Sequence, residues 1–187
     1  MLGGLVNKEI TGRINALGGR AAGITGADGA LLQASVRDDD MGFVGQVGNV
    51  DITIIAALLE AGLMPVVGTL GQRQGVEPPH LLNINGDVVA GEIAAAVGAV
   101  RLVFMTDVAG ILGKGGKLCE SLTPEAAQAL VDQGIAVGGM IPKIRAGLRA
   151  LAAGARTRII DGTAPHALLQ EIDGSYPGTT IAPAAKE

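Results

Sequence analysis

Aromatic side chains are almost missing from this sequence: its 187 residues include two Phe, one Tyr and no Trp. That excludes the stacking platforms on which proteins seat single-stranded nucleic acid. Basic charge is also scarce and scattered. The net charge is −4, which argues against sequence-independent binding to a phosphate backbone, so no nucleic-acid partner is expected. A single cysteine, Cys119, rules out an internal disulfide and a cysteine-based metal cage. The longest apolar run in the middle of the chain, Ile54 to Leu59, is far too short to span a bilayer, and the first residues lack the basic region and apolar stretch of a signal peptide. The expectation is a soluble cytoplasmic protein with no membrane partner.

What the sequence does contain is aliphatic mass and many turns. Apolar residues make up 48% of it, alongside 30 glycines, so a core of Ala, Val, Ile and Leu threaded through tight turns is expected. Apolar residues Leu2, Leu5, Val6, Ile10, Ile14 and Leu17 recur at helical spacing, and Gly18-Gly19 closes that helix. Residues 20–25 read as a strand, 26–29 as a turn and 30–36 as a return strand; 42–47 alternate as a further strand. A helix over 51–61 with Asp51 as N-cap, a buried strand over 63–67, a loop rich in Gly, Pro and Gln, and a strand over 80–84 follow. Beyond them the spacing predicts helices over 87–97, 124–132, 140–153 and 164–172. Strands are predicted over 101–105, 158–160 and 179–181, before a short polar tail. Strands alternating with helices predict an α/β fold, an open, mainly parallel sheet sandwiched by helices. No linker or repeat interrupts residues 1–187, which are read as a single domain.

The common nucleotide fingerprints fail. No Gly-x-Gly-x-x-Gly follows a strand, and Gly110-Ile-Leu-Gly-Lys-Gly-Gly-Lys117 has the wrong spacing for a P-loop, with Leu118 where a hydroxyl is needed. It reads as a solvated turn. His80 and His166 are far apart and read as surface or packing histidines, and Asp38-Asp39-Asp40 as a hydrated loop, so no metal site is expected.

Three stretches stand out. Asn83-Ile-Asn-Gly-Asp87 places polar groups between a strand end and a helix start, which is either a ligand edge or an ordinary cap by Asn85 or Asp87. Thr106-Asp-Val-Ala-Gly110 is a strand running into a polar turn, open to the same two readings. Gly138-Gly-Met-Ile-Pro-Lys143 offers bare N–H groups at a helix N-terminus, with a lysine one turn in. All three fall at one edge of the expected sheet, as phosphoryl transfer without a P-loop requires.

Taken with Leu5-Val-Asn-Lys-Glu-Ile10, Gly42-Phe-Val-Gly45 and Ile160-Asp-Gly-Thr-Ala-Pro-His-Ala-Leu-Leu169, these stretches resemble the acetylglutamate kinases of the amino acid kinase family, over essentially the whole chain. The resemblance implies MgATP-dependent phosphorylation of the side-chain carboxylate of N-acetyl-L-glutamate in arginine biosynthesis, with Mg²⁺ held mainly through the nucleotide phosphates. It implies that Asn83 binds the acetylglutamate and that Asp87 orients two catalytic lysines, of which Lys143 is the second. It implies an ATP site lined by Thr106, Asp107, Val108, Ala109, Gly110, Ile111 and Leu112 together with Ile135, Ala136, Val137, Gly139 and Met140. It further implies a homo-oligomer and a candidate L-arginine effector pocket at His166, Glu171 and Gly178, against the plainer reading of a C-terminal helix. Within the acidic motif, Gly86 stands where many relatives carry alanine.

The chemistry agrees with that resemblance. A carboxylate that attacks phosphorus is already ionised near neutral pH and needs no general base. Catalysis then rests on positioning and on cations and N–H groups around the transferred group. The family pattern begins with a strand, a Lys-x-Gly-Gly motif, a Gly-rich turn and a lid arginine. None of these precedes the mid-chain helix with which this sequence aligns, so the chain is expected to be such a kinase without its N-terminal portion, carrying mainly the C-terminal ATP-binding lobe plus the tail of the N-terminal substrate lobe. Two other readings stay open: a kinase of carrier-bound aminoadipate or glutamate, and a catalytically dead nucleotide- or effector-binding module.

Overall fold

The computed structural model describes residues 1–76 and 80–184, with the Asp39 side chain excepted. Residues 77–79 of the expected Gly/Pro/Gln loop and 185–187 of the expected tail lie outside the described residues. The chain divides into two compact units, Met1–Val89 and Ala90–Glu187.

In the first unit a single π-helical turn, Leu2–Val6, runs into α1 (Asn7–Ala16). There follow β1 (Ala21–Thr25), β2 (Leu32–Val36), β3 (Gly45–Val50), α2 (Thr53–Glu60), β4 (Met64–Gly68), β5 (Leu70–Arg73) and β6 (Leu81–Asn83). Helix α3 (Gly86–Ala96) begins in this unit and continues into the next. Two sheets result: β1 pairs in parallel with β4, and the order β3-β2-β5-β6 forms the second, antiparallel at both outer pairings.

The expected hairpin of residues 20–36 therefore does not form. The Asp28 carboxylate accepts from the Thr25 N–H (2.6 Å) and hydroxyl (2.8 Å), and a 3-10 turn over Asp28–Ala30 carries the chain from one sheet to the other. Strand β5 lies inside the stretch expected to be a loop. Strand β3 starts three residues later than its alternation suggests, after Gly42 turns at φ +62°.

The apolar periodicity of residues 2–17 forms the helix but is not its buried face. Leu2, Leu5, Ile10 and Leu17 are exposed, whereas Asn7 is buried. The Asn7 Nδ2 group donates to the Ile24 carbonyl in β1 (3.1 Å) and the Val66 carbonyl in β4 (2.8 Å), fastening the helix to both strands. Gly23 makes this approach feasible, because a Cβ there would collide with the Asn7 and Thr11 side-chain oxygens.

The second unit has β7 (Arg101–Thr106), β8 (Ser121–Leu122), α4 (Pro124–Asp132), α5 (Met140–Ala152), β9 (Arg156–Asp161), α6 (Ala167–Ile172) and β10 (Thr179–Ile181). Its sheet has the order β7-β9-β10-β8, parallel except between β9 and β10. Among the described residues four of the seven strand pairings in the chain are parallel, so the fold is α/β with mixed, mostly parallel sheets. Helix α4 starts where Thr123 and Pro124 predict: the Thr123 hydroxyl accepts from the Ala126 N–H (3.2 Å). Helix α6 starts three residues later than expected, since His166 sits at φ +61° behind Pro165.

Side chains alternate across the sheet. Thr157 faces α5, where its hydroxyl donates to the Gly147 carbonyl (3.1 Å) and a Cβ on Gly147 would lie 2.7 Å from its methyl group. The neighbouring Arg158 faces α6. The core on the α5 side gathers Phe104, Ile111, Ala127, Ile144, Ile159 and Ile181. Small residues there let helix and sheet close up, which offsets the scarcity of aromatic bulk. Among the described residues, no helix is long and apolar enough to cross a membrane.

Candidate functional site

In the second unit an apolar cavity of about 180 Å³ opens beyond the C-terminal end of β7. It is lined by Val108, Gly110, Ile111 and Leu112 from the loop after β7, and by Ile135, Ala136, Val137 and Met140 from the approach to α5. All eight belong to the stretches read from the sequence as an ATP lining. Thr106, Asp107, Ala109 and Gly139 of that set stand outside the lining, with the Thr106 hydroxyl donating to the Asp107 carboxylate (3.1 Å) at the strand end.

The loop is anchored tightly. The Ile111 N–H donates to the buried Thr179 hydroxyl of β10 (2.8 Å), and Gly110, at φ +149°, passes so close that a Cβ would lie 2.6 Å from that oxygen. Beyond it, Gly110–Lys117 is a hairpin. The Gly113 N–H donates to the Lys117 carbonyl (2.9 Å) and Lys114–Gly116 forms its tip, the turn expected in place of a P-loop.

Lys143 is half-buried in the first turn of α5. The Met140 and Ile141 N–H groups are tied back to the Val137 and Gly138 carbonyls (3.2 and 3.3 Å), and Pro142 has none to give. The N–H groups of Gly138 and Gly139 make no hydrogen bond among the described residues, so the bare donors are those of the two glycines themselves. A short turn joins the end of α5 to the start of β9, so the helix runs antiparallel to the strand. Its 13 residues rise about 20 Å, as do the six of β9. The N-terminus of α5, with Lys143, thus reaches the edge where β9 ends at Asp161 and its register partner β7 ends at Thr106. Asp161 closes that edge. Thr163, through its hydroxyl (2.6 Å) and then its N–H (2.8 Å), holds the Asp161 carboxyl below its ordinary pKa.

The acidic motif belongs to the first unit at Asn83 and Asp87. Asn85 is the cap: its Oδ1 accepts from the Asp87 and Val88 N–H groups (3.0 and 3.2 Å). Asp87 sits at the second position of α3 and is already engaged by a partner. Asn83 ends β6 with its side chain exposed and without a hydrogen bond among the described residues. The Asn83 N–H donates to the Phe43 carbonyl (2.8 Å), which joins two of the motifs quoted above, Gly42–Gly45 and Asn83–Asp87. His80 packs edge-on against Phe43, with ring centroids 6.0 Å apart.

The candidate effector residues are less coherent. Glu171 is buried and already held by Arg158, whose Nε donates to both carboxylate oxygens at 3.0 Å and whose Nη2 donates at 2.8 Å. Gly178 packs on the Ile159 carbonyl and lines a neighbouring recess, while His166 is exposed and lines neither that recess nor the one beside Glu171. Among the described residues, no cluster of three or more His, Cys, Asp or Glu side chains is placed to hold a metal ion.

Two features escaped the sequence reading. One is a recess of about 510 Å³ in the first unit, lined by Gln33, Gln72, Arg73 and Gln74, which depends on the unexpected strand β5. The other is a cluster of arginines, Arg101, Arg156 and Arg158, around a recess of about 220 Å³ in the second unit. Only strand register brings them together.

Comparison with known proteins places these features in context. A model of the Amino acid kinase family matches residues 2–161. Acetylglutamate kinase of Dehalococcoides mccartyi is 44% identical over 184 residues, covering 97% of this chain and 68% of that protein. Among solved structures, smu.665 from Streptococcus mutans UA159 aligns with a TM-score of 0.79 at 28% identity, over 97% of this chain and 68% of that one. N-acetylglutamate synthase from Neisseria gonorrhoeae, complexed with coenzyme A and L-arginine, aligns with a TM-score of 0.73 at 26% identity, over 96% of this chain and 45% of that one.

Proposed function

The chain belongs to the amino acid kinase family, and from that premise we propose that it serves a kinase that transfers the γ-phosphoryl group of ATP to the side-chain carboxylate of N-acetyl-L-glutamate. The observation that carries the reading is the convergence of two separate segments, 108–112 and 135–140, on one apolar cavity at the edge reached by the N-terminus of α5. An apolar slot with backbone polar groups at its rim suits a purine base. The nucleotide's phosphates would then lie toward the Gly138 and Gly139 N–H groups and Lys143.

Mg²⁺ would arrive on those phosphates and neutralise part of their charge. The protein's own task is to orient and to supply positive charge where it develops. Lys143 would face the equatorial oxygens of the transferred group, and the glycine N–H groups would hold the oxygens next to them. Asn83, with its unengaged amide, would bind the acetylglutamate, and Asp87 would take the orienting role that the family resemblance gives it. An L-arginine effector at His166, Glu171 and Gly178 has weaker support, since the Glu171 carboxylate is already neutralised by Arg158. The exposed apolar side chains of α1 support a homo-oligomer, and the reaction's demand for ATP supports a cytoplasmic setting.

The test is calorimetric titration with MgATP. Val137 lines the cavity and is 68% exposed, so Val137→Asp should leave folding intact. It should weaken nucleotide binding roughly tenfold by setting a carboxylate beside an apolar base. Lys143→Ala, assayed in an active enzyme carrying this segment, should lower turnover about 10²–10³-fold with nucleotide affinity nearly unchanged. MgATP binding indifferent to Val137→Asp would remove the cavity from the site. Unchanged turnover in Lys143→Ala would remove the lysine from catalysis.

A further inference from the structure

At the other end of β7 from the nucleotide cavity, and on the opposite face of the sheet, lies the recess of about 220 Å³ lined by Arg101, Arg156, Arg158, Glu171, Tyr176 and Thr180. Strand register explains the convergence. Arg101 and Arg156 are direct partners across the parallel β7–β9 pair, and Arg158 follows two residues later on the same face, opposite Thr180 of β10. Strand partners sit about 5 Å apart, and two like charges directly opposite one another destabilise a sheet.

The protein itself answers only part of this charge. Arg158 is held on three sides: its guanidinium binds the Glu171 carboxylate, the Thr180 hydroxyl (2.8 Å) and the Tyr176 carbonyl (2.7 Å). Arg101 donates to the Glu171 carbonyl (3.0 Å) and stands 3.7 Å from the same carboxylate. The Arg156 guanidinium makes no hydrogen bond or ion pair among the described residues, while its backbone N–H donates to the Val100 carbonyl (3.0 Å). Three guanidinium groups thus share one carboxylate around a single recess. Glu120, whose side chain borders the adjoining recess, is the other carboxylate lining this groove.

We propose that this recess is a binding site for a small oxyanion ligand, a phosphate or carboxylate group held by the forked guanidiniums of Arg156 and Arg101, with Arg158 and Glu171 as the rigid floor. Paired arginines suit such a group because each presents parallel N–H donors to two oxygens. The site is distinct from the nucleotide cavity. It takes the acidic end of a ligand, the opposite of what a free carboxylate waiting for a guanidinium would take.

The test uses the full chain, titrated calorimetrically with inorganic phosphate and, in a second arm, with citrate, against chloride at matched ionic strength. Either ligand should show a saturable event that weakens as salt rises. Arg156→Gln should weaken that event roughly tenfold or more, the worth of one charged hydrogen-bonded contact. Arg156→Lys should restore it only in part, because a lysine keeps the charge but not the fork. Arg156 is exposed and unpaired, so these variants should fold, and Arg13→Gln, in an exposed helical pair on α1, controls for net charge. Phosphate that also occupies the α5 N-terminus would appear as a separate event indifferent to Arg156. Binding of phosphate and citrate that is absent, or equal in wild type and Arg156→Gln, would overturn the proposal. Response to one arm alone identifies which oxyanion the site accepts.

Discussion

The two units join helix to sheet by different physics. In residues 1–89, α1 is fastened by an amide that satisfies two strand carbonyls, and its apolar side chains Leu2, Leu5, Ile10 and Leu17 remain exposed. In residues 90–187, α5 packs by small residues and apolar contact, with Ile144, Ala146, Gly147 and Ala150 buried, while polar attachment is moved to the other face as the Arg158–Glu171 pair. The difference teaches where each unit is vulnerable. Breaking the second unit means leaving a buried charge alone, whereas breaking the first means stranding neutral carbonyls.

The largest effect should follow from Glu171→Ala. Glu171 and Arg158 expose only 3% and 13% of their side chains, so removing one partner leaves the other charge buried. That should cost about 3–5 kcal/mol. Replacing both, as Arg158→Met with Glu171→Leu, should recover most of the loss, because the desolvation penalty leaves with the pair. Denaturant melts of the single and double variants check this. A double variant as unstable as Glu171→Ala would mean that the recess, not the ion pair, holds α6.

How much of this was legible in the sequence depends on how local the signal was. Helix α4 begins at Thr123-Pro124 because cap and first-turn chemistry are contained in adjacent residues. Strand β10 forms over Thr179–Ile181 as read, from two β-branched threonines and an isoleucine. The β1–β2 hairpin failed because the turn at Gly26–Gly29 looks the same whether the chain returns along the same sheet or crosses to another. Periodicity gave α1 its conformation but not its orientation: Leu2, Leu5, Ile10 and Leu17 of the apolar stripe are exposed, Val6 and Ile14 are half-buried, and Asn7 faces inward because Gly23 opposite it is bare. The two segments of the apolar cavity beyond β7 were named through a family resemblance, since nothing in their spacing alone says that residues 108–112 and 135–140 meet. The arginine recess was invisible, because neighbours across β7 and β9 are far apart in sequence.

Asn7→Ala sharpens the comparison from the other side. It deletes the Nδ2 donor shared by the Ile24 and Val66 carbonyls and should cost about 1–3 kcal/mol for each carbonyl left unsatisfied. Asn7→Asp should be no better, since a carboxylate offers no donor to either carbonyl and would sit beside them with its charge buried. Hydrogen exchange should report the loss first in β1 and β4, with β7 and β9 unaffected. Equal deprotection of both sets would show that the units unfold as one.

The smallest effect concerns acid. Asp28 bridges the turn after β1, and the Thr25 N–H, followed by the Thr25 hydroxyl, lowers its pKa below the ordinary value. A depressed folded-state pKa means the unfolded chain binds the proton more readily. The resulting stabilisation is complete above the unfolded carboxylate pKa, about 4, and is lost as pH falls below it through the folded value. Asp28→Asn should remove that contribution, so wild type and variant should differ most above pH 5 and converge toward pH 3. The difference should be modest because Asp28 is exposed to water. Asp161 carries the same arrangement with Thr163 at the end of β9 in the second unit. If acid sensitivity follows these local turns, Asp161→Asn should flatten the slope for the second unit while leaving that of the first. Equal slopes in both variants and wild type would place the acid response outside these two turns.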